Sequence, residues 1–447
     1  MSVSKYLKSC TGIYHTTLDP KGVGVLRIHL IPPKKLKLHI PWVVILNGYY
    51  VLPLQSGWAV LLKEFIEAVN KDADKDFEEF KEYVLKAAIA TRKIFKKATQ
   101  SMLKHDLNEM ISTFKDLVYN KEVNSEIGLM TFKEYSKFMK APHRMDLMIS
   151  SMEKNGCWNC NQKCLHCYAS GEKMSNVNEL STDEWKLIID KCKEAGIPQL
   201  TFTGGEPTIR KDLVELVDYA KWFITRLNTN GILVTKELAN ALYNASLDSI
   251  QFTFYSSDKD IHNQLVGGDH FDKTVLGIKN AIEAGLDVSV NTPLCSLNKD
   301  YVPTIAFLEK LGVKYFSTSG LIPTGNAKEE DSVMTRLSEE EITWSVERGY
   351  HYCKNHQLEL SFTSPGWISE TKLKEMRMVV PSCGASLSNM AIAPNGEVIP
   401  CQSWLFEEGL GNILEEKWKD IWNHPCAIKQ REFSAKSTQT CQLRSVK

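Results

Sequence analysis

Hydrophobic and polar positions along the chain change rhythm twice. The first 120 residues open with β-branched and aromatic runs, "GVLRIHLI" at 24–31 and "WVVILNGYYVLPL" at 42–54, which predict three strands. Asn47-Gly48 between two apolar runs marks a hairpin. Helical spacing follows. Trp58, Leu61, Leu62, Phe65 and Val69 share one face, then Phe77, Phe80, Val84, Ala87 and Ala88, then Leu103, Leu107, Met110, Phe114 and Leu117. From residue 146 short apolar runs alternate with helix-length amphipathic segments. The runs are "DLMISS", "PQLTFT", "FITRLNTN", "DSIQFTF", "LDVSVNT" and "VKYFSTS". Such alternation predicts a parallel βα-repeat sheet, with chemistry in the loops at the carboxyl ends of its strands. Ser181 with Glu184 forms a capping box that opens the first repeat helix. Beyond residue 365 the rhythm stops, and Gly, Pro, Trp and Cys become denser.

Charge narrows the function classes. The chain of 447 residues carries 54 basic and 54 acidic side chains, so no net field draws it to nucleic acid or an anionic membrane. The most apolar stretch, 42–62, is broken by Asn47, Gly48, Pro53, Gln55, Ser56 and Gly57, which argues against a membrane span. The opening "MSVSKYLKSC" lacks the apolar core of a signal peptide. A cytoplasmic location is the expectation. Twelve cysteines in a reducing compartment point to metal or catalysis rather than disulfides. Cys10, Cys192, Cys295 and Cys353 stand singly and read as small buried hydrophobes.

The remaining thiols are clustered. "CWNCNQKCLHCY", 157–168, reads C-x2-C-x3-C-x2-C. Three residues between the pairs are too few for a zinc ribbon, whose two knuckles are spaced by a long loop. The order also differs from the ferredoxin run. A redox pair at Cys157 and Cys160 leaves Cys164 and Cys167 without a role. Cys160, Cys164 and Cys167 alone, C-x3-C-x2-C after the first strand of a βα repeat, resemble the signature of the radical S-adenosylmethionine (radical SAM) superfamily. "TFTGGEPT" strengthens the resemblance, because the family places a GGE element at the end of its second strand.

The resemblance implies a partial (β/α)6 barrel in an α/β chain. It also implies a [4Fe–4S] cluster on the three thiolates, with S-adenosylmethionine (SAM) chelating the fourth iron. One-electron cleavage of SAM would then give a 5′-deoxyadenosyl radical that abstracts a substrate hydrogen. Gly204, Gly205 and Glu206 are expected to hold the methionine amino group, Asn230 of "LNTNG" the sugar or methionine portion, and Ser256 of "TFYSSDKD" another part of SAM. Tyr168 and His166 are placed to flank the adenine. Relatives carry an arginine where "QLVGGDHF" has none, so the partner of the SAM carboxylate is open. Cys157 has no assigned role.

"CGASLSNMAIAPNGEVIPC" sets Cys383, Gly396 and Cys401 in a C-x12-G-x4-C arrangement that resembles the start of a SPASM/twitch extension. That resemblance implies a second [4Fe–4S] cluster. Relatives continue with C-x2-C, whereas "CQLRSVK" has Arg444 at the second position, which leaves Cys383, Cys401 and Cys441 as the auxiliary ligands and Cys426 as a fourth candidate. The division expected is an N-terminal α+β, winged-helix-like domain at 1–120, a linker at 121–145, a radical SAM core at 146–364 and an auxiliary-cluster extension at 365–447. The N-terminal layout is similar to a peptide-recognition domain that takes a leader peptide as an added strand. The resulting expectation is a maturase of a ribosomally made peptide or protein, served by a reductase, flavodoxin or ferredoxin. A radical SAM enzyme for a small molecule or cofactor precursor is an alternative. A non-catalytic iron–sulfur protein for binding or electron transfer is another.

Overall fold

A computed structural model describes residues 2–18, 26–47, 50–71, 80–118, 132–154, 157–436 and 439–445. The chain forms two compact units, 1–139 and 140–447. Gly48 of the expected hairpin, Phe77 of the second helical face and residues 121–131 of the expected linker lie outside the described residues.

The first unit is a four-stranded antiparallel sheet in the order β1-β2-β3-β4, from Tyr14–Leu18, Leu26–Ile31, Trp42–Leu46 and Tyr50–Leu54. Strand β1 was not expected: "YHTTL" has only two buried positions, Thr16 and Leu18, too few to stand out as an apolar run. Among the described residues, a short helix, Val3–Ser9, precedes the sheet, and Ser56–Asn70, Phe80–Ile94, Gln100–Val118 and the short Phe132–Tyr135 follow it. Alternate β3 residues Trp42, Val44 and Leu46 join one core with Leu61, Leu62, Phe65, Leu107 and Phe114 from the helices. The strand period of two and the helical period of 3.6 meet on that core.

The second unit is built on one sheet. Its parallel strands are β5 (Arg144–Ser150), β8 (Gln199–Gly204), β9 (Ile224–Thr229), β10 (Ser249–Thr253), β11 (Val288–Pro293), β12 (Tyr315–Ser319) and β13 (Glu359–Phe362). Between β5 and β8 a small hairpin, β6 (Glu153–Lys154) with β7 (Cys157–Trp158), opens the cysteine loop. The capping box of Ser181 and Glu184 is present at the start of the helix Thr182–Ala195. Two C-terminal strands, β14 (Asn389–Ile392) and β15 (Val398–Ile399), extend the sheet to the order β13-β12-β11-β10-β9-β8-β5-β14-β15. Ala391 pairs with Asp146 across the β5–β14 seam. The C-terminal extension is therefore hydrogen-bonded directly to the first strand of the repeat.

One face of the sheet is apolar and the other polar. Leu227, Ile250, Phe252, Val290 and Phe316 are buried under the helices. Gln251 Nε2 on β10 donates to Ser317 Oγ on β12 (3.3 Å), and Ser317 Oγ donates to Asn291 Oδ1 on β11 between them (3.0 Å). A side chain reaching past a neighbouring strand marks this polar face as concave. Among the described residues, no helix is long and apolar enough to cross a membrane.

His262, on the helix Lys259–Val266, is fully buried against the rings of Phe254 and Phe271. Its Nδ1 accepts the Tyr255 N–H at 3.4 Å, and burial, with His270 adding, holds the imidazole down at about 4. A folded-state value below the free value of about 6.5 contributes stability above pH 6.5 that is lost as pH falls towards 4. Chemical denaturation across that window is expected to show the loss, with a shallower slope for His262→Phe; identical slopes would rule out His262 as a contributor.

Candidate active site

The site lies at the carboxyl ends of β5, β8, β9 and β10. The backbone of β8 crowds that of β5 at this point. Gly204 adopts φ +140°, and a Cβ there would meet the Ser150 carbonyl oxygen. A Cβ on Gly205 would lie 2.8 Å from the Ser151 carbonyl oxygen. Both glycines are thus required by strand packing, independently of any cofactor.

Glu206 is the centre of the arrangement. Its side chain is 1% exposed. Oε1 accepts from the Thr208 N–H (3.0 Å), the Thr208 hydroxyl and the Thr229 hydroxyl (2.7 Å), and Oε2 accepts the Asn230 N–H (2.8 Å). Burial pushes its carboxyl up, and those donors oppose the shift. The carboxylate is thus engaged by the loops after β8 and β9. Asn230 then reaches onward: its Nδ2 donates to Asn161 Oδ1 (2.6 Å), inside the cysteine loop. Ser256 sits in the turn after β10, where its Oγ accepts the Asp258 N–H (3.0 Å). The concave-face residue at the end of β10 is Thr253, a position that strand alternation in "SIQFT" marks and motif reading passed over.

The three thiols of Cys160, Cys164 and Cys167 are brought within electrostatic reach of one another. Burial pushes Cys160 up to about 12, with Glu206 and Cys167 adding to the shift, and raises Cys164 and Cys167 as well. Iron binding must therefore displace protons. Three buried thiols from a single loop are the donor type that iron–sulfur clusters take from a protein. Cys157 contributes its backbone to β7.

His166 is buried, its Nε2 2.7 Å from Thr335 Oγ1, and burial holds its imidazole down at about 4. Within "QLVGGDHF", Val266 packs in one cluster with Cys164 and Leu165, and its carbonyl accepts the Lys163 N–H (3.1 Å).

A second thiol group forms across the C-terminal extension. Cys401 is in electrostatic reach of Cys383 and Cys441, and burial raises the thiols of Cys401 and Cys441. Gln430 Nε2 and Ser434 Oγ, both buried, each approach Cys383 Sγ at 3.7 Å. Cys426 is exposed at the start of the helix Pro425–Ala435 and is not among these coupled thiols. Tyr168 joins the two groups. Burial raises its phenol, and Cys167, Asp146 and Cys401 all act on it.

A model described as the radical SAM superfamily matches residues 159–308, and one described as an iron–sulfur cluster-binding domain, SPASM, matches 383–443. The chain belongs to the radical SAM superfamily. It is a radical SAM enzyme with a SPASM domain, and those domains imply a [4Fe–4S] cluster with SAM and additional iron–sulfur centres. Curated relatives include an AdoMet-dependent heme synthase of Oleidesulfovibrio alaskensis, 29% identical over 59% of this chain and 71% of the relative. The Fe-coproporphyrin III synthase of Methanosarcina barkeri is 28% identical over 59% and 72%. Among solved structures, Streptococcus suis SuiB bound to precursor peptide SuiA aligns with a TM-score of 0.59 at 16% identity, covering 89% of each chain. Native anSMEcpe with bound AdoMet aligns at 0.52 and 17%, covering 66% of this chain and 84% of that one.

Anaerobic reconstitution of this radical SAM enzyme is expected to load about eight irons per chain, as two [4Fe–4S] clusters require. A Cys160/Cys164/Cys167→Ala variant and a Cys383/Cys401/Cys441→Ala variant should each retain about half. Four irons on the parent, unchanged by the second variant, would remove the auxiliary centre.

Proposed function

We propose that this enzyme matures a ribosomally made peptide or protein by abstracting hydrogen from an unactivated C–H bond. When bound, the cluster and SAM supply one-electron cleavage of the sulfonium and the radical that takes the hydrogen. Cys160, Cys164 and Cys167 would hold the first cluster, and Cys383, Cys401 and Cys441 the auxiliary one. The backbone around Gly204 and Gly205 would face the methionine end of SAM, while Glu206 and Asn230 hold that backbone against the cysteine loop. A reductase, flavodoxin or ferredoxin in a reducing compartment would supply the electron.

The observation that carries the peptide reading is the concave face. Above the Arg226 level, β9 to β12 present Asn228, Gln251, Thr253, Ser289, Asn291 and Ser317 on that face. Amides and hydroxyls exchange hydrogen bonds readily with peptide groups. A polycarboxylate substrate would demand paired cations there, and these positions offer none. The four-stranded N-terminal unit adds support, since the likeness to peptide-bound SuiB covers more of the chain than residues 140–447 can supply. A sheet edge there would take a leader peptide by strand addition.

The second reading, a tetrapyrrole or other cofactor precursor as substrate, is favoured by the curated relatives, which are named heme and coproporphyrin synthases. The readings separate in one experiment. Reconstituted enzyme with SAM and a strong reductant is expected to release 5′-deoxyadenosine, and the Cys160/Cys164/Cys167→Ala variant is not. Iron-coproporphyrin III should leave both the release rate and its own Soret band unchanged. A shifted Soret band with faster release would overturn the peptide reading in favour of the tetrapyrrole.

A further inference from the structure

The segment after β12 packs back onto the cysteine loop. Four strands separate β12 from β5 in the sheet, yet residues 324–335 lie along the backbone of the loop that follows β5. Asn326 makes the central contact twice: its backbone N–H donates to the Cys167 carbonyl (2.8 Å) and its Nδ2 to the Cys164 carbonyl (3.1 Å). Thr324 Oγ1 donates to the Tyr168 carbonyl (3.1 Å), and Ser332 Oγ donates to the Leu165 carbonyl (2.7 Å). Gly325 adopts φ +56°, and a Cβ there would meet the Cys167 carbonyl oxygen, so the approach tolerates no side chain. Glu172, 6% exposed, fixes the turn from behind by accepting the Gly325 N–H (2.7 Å) and Lys328 Nζ (2.8 Å).

We propose that Asn326 is a positioning residue for the first cluster: one side chain and its own N–H tie the backbones of two ligand cysteines at a set separation. The inference rests on the assignment of Cys160, Cys164 and Cys167 as that cluster's ligands. Two consequences follow physically. The Cys164 and Cys167 sulfurs are pre-placed before iron arrives, as partners behind metal ligands commonly arrange. The two donors also offset the negative ends of the Cys164 and Cys167 carbonyls, which would favour the more negative, reduced state of a cluster held by those residues. Losing the Nδ2 donor should lower the midpoint potential, and a carboxylate in its place should lower it further.

The test uses the full chain, reconstituted anaerobically, with Asn326→Ala, Asn326→Asp and Ser332→Ala. Ser332→Ala removes a contact from the same segment to a residue that is not a ligand. Iron content, the midpoint of the SAM-responsive EPR signal and its change on adding SAM are measured for each. At parental iron content, the midpoint is expected to fall in Asn326→Ala and fall further in Asn326→Asp, with Ser332→Ala at the parental value. Specific loss of about half the iron in the Asn326 variants, with Ser332→Ala fully loaded, would equally support the proposal. Parental midpoint and spectrum in both Asn326 variants would overturn it, as would an equal effect in Ser332→Ala. A fully loaded parent whose spectrum ignores SAM would overturn the ligand assignment itself.

Discussion

The site depends on one buried carboxylate. Glu206 has left water completely, and an ionised group in that position is tolerable only with a full set of donors. Those donors come from two successive strand ends, so satisfying the charge forces the loops after β8 and β9 into a single arrangement. Asn230 passes the constraint to Asn161, and hence to the loop that carries the three thiols. The cysteine loop, which has little regular structure of its own, is thereby fixed from the sheet side. The chain after β12 fixes it from the other side through Asn326 and Thr324.

On the proposed assignment of Cys160, Cys164 and Cys167 as cluster ligands, this two-sided support has a chemical purpose. A cluster that must keep one iron open for a cofactor cannot rely on a fourth protein ligand to hold its shape. Rigidity has to come from hydrogen bonds behind the ligands. Under the proposed function, holding the thiols by backbone contacts would leave the concave face to the substrate. That face carries amides and hydroxyls supported by the Gln251–Ser317–Asn291 chain.

The C-terminal extension is part of the same framework. Because β14 pairs with β5, the hairpin that presents Cys401 is built on the strand that also leads into Cys160. Met148, Ala391, Ala393 and Ile399 pack with Cys167 and Tyr168 across the seam. The two thiol groups are therefore joined through a dry, well-packed interior rather than by a flexible linker. Tyr168, acted on by Cys167 and Cys401, is the side chain common to both.

The six repeat strands, the capping box at Ser181 and the three longer helices of the N-terminal unit were legible because their periods and punctuation are local properties. The thiol spacing and the GGE element were legible for the same reason, and they sufficed for the family. Strands β1 and β13 and the docking of β14 on β5 were not. Each is short; β1 buries only two positions, and β13 and β14 take their identity as strands from partners distant in sequence. The hydrogen-bond partners of Glu206 were not legible either, since they come from the ends of two different strands. Asn326 carries no signal at all in the sequence: it follows β12 by seven residues and acts on a loop some 160 positions earlier. Local chemistry is written in residue order, whereas the partners of buried polar groups exist only once the sheet has brought distant loops to one mouth.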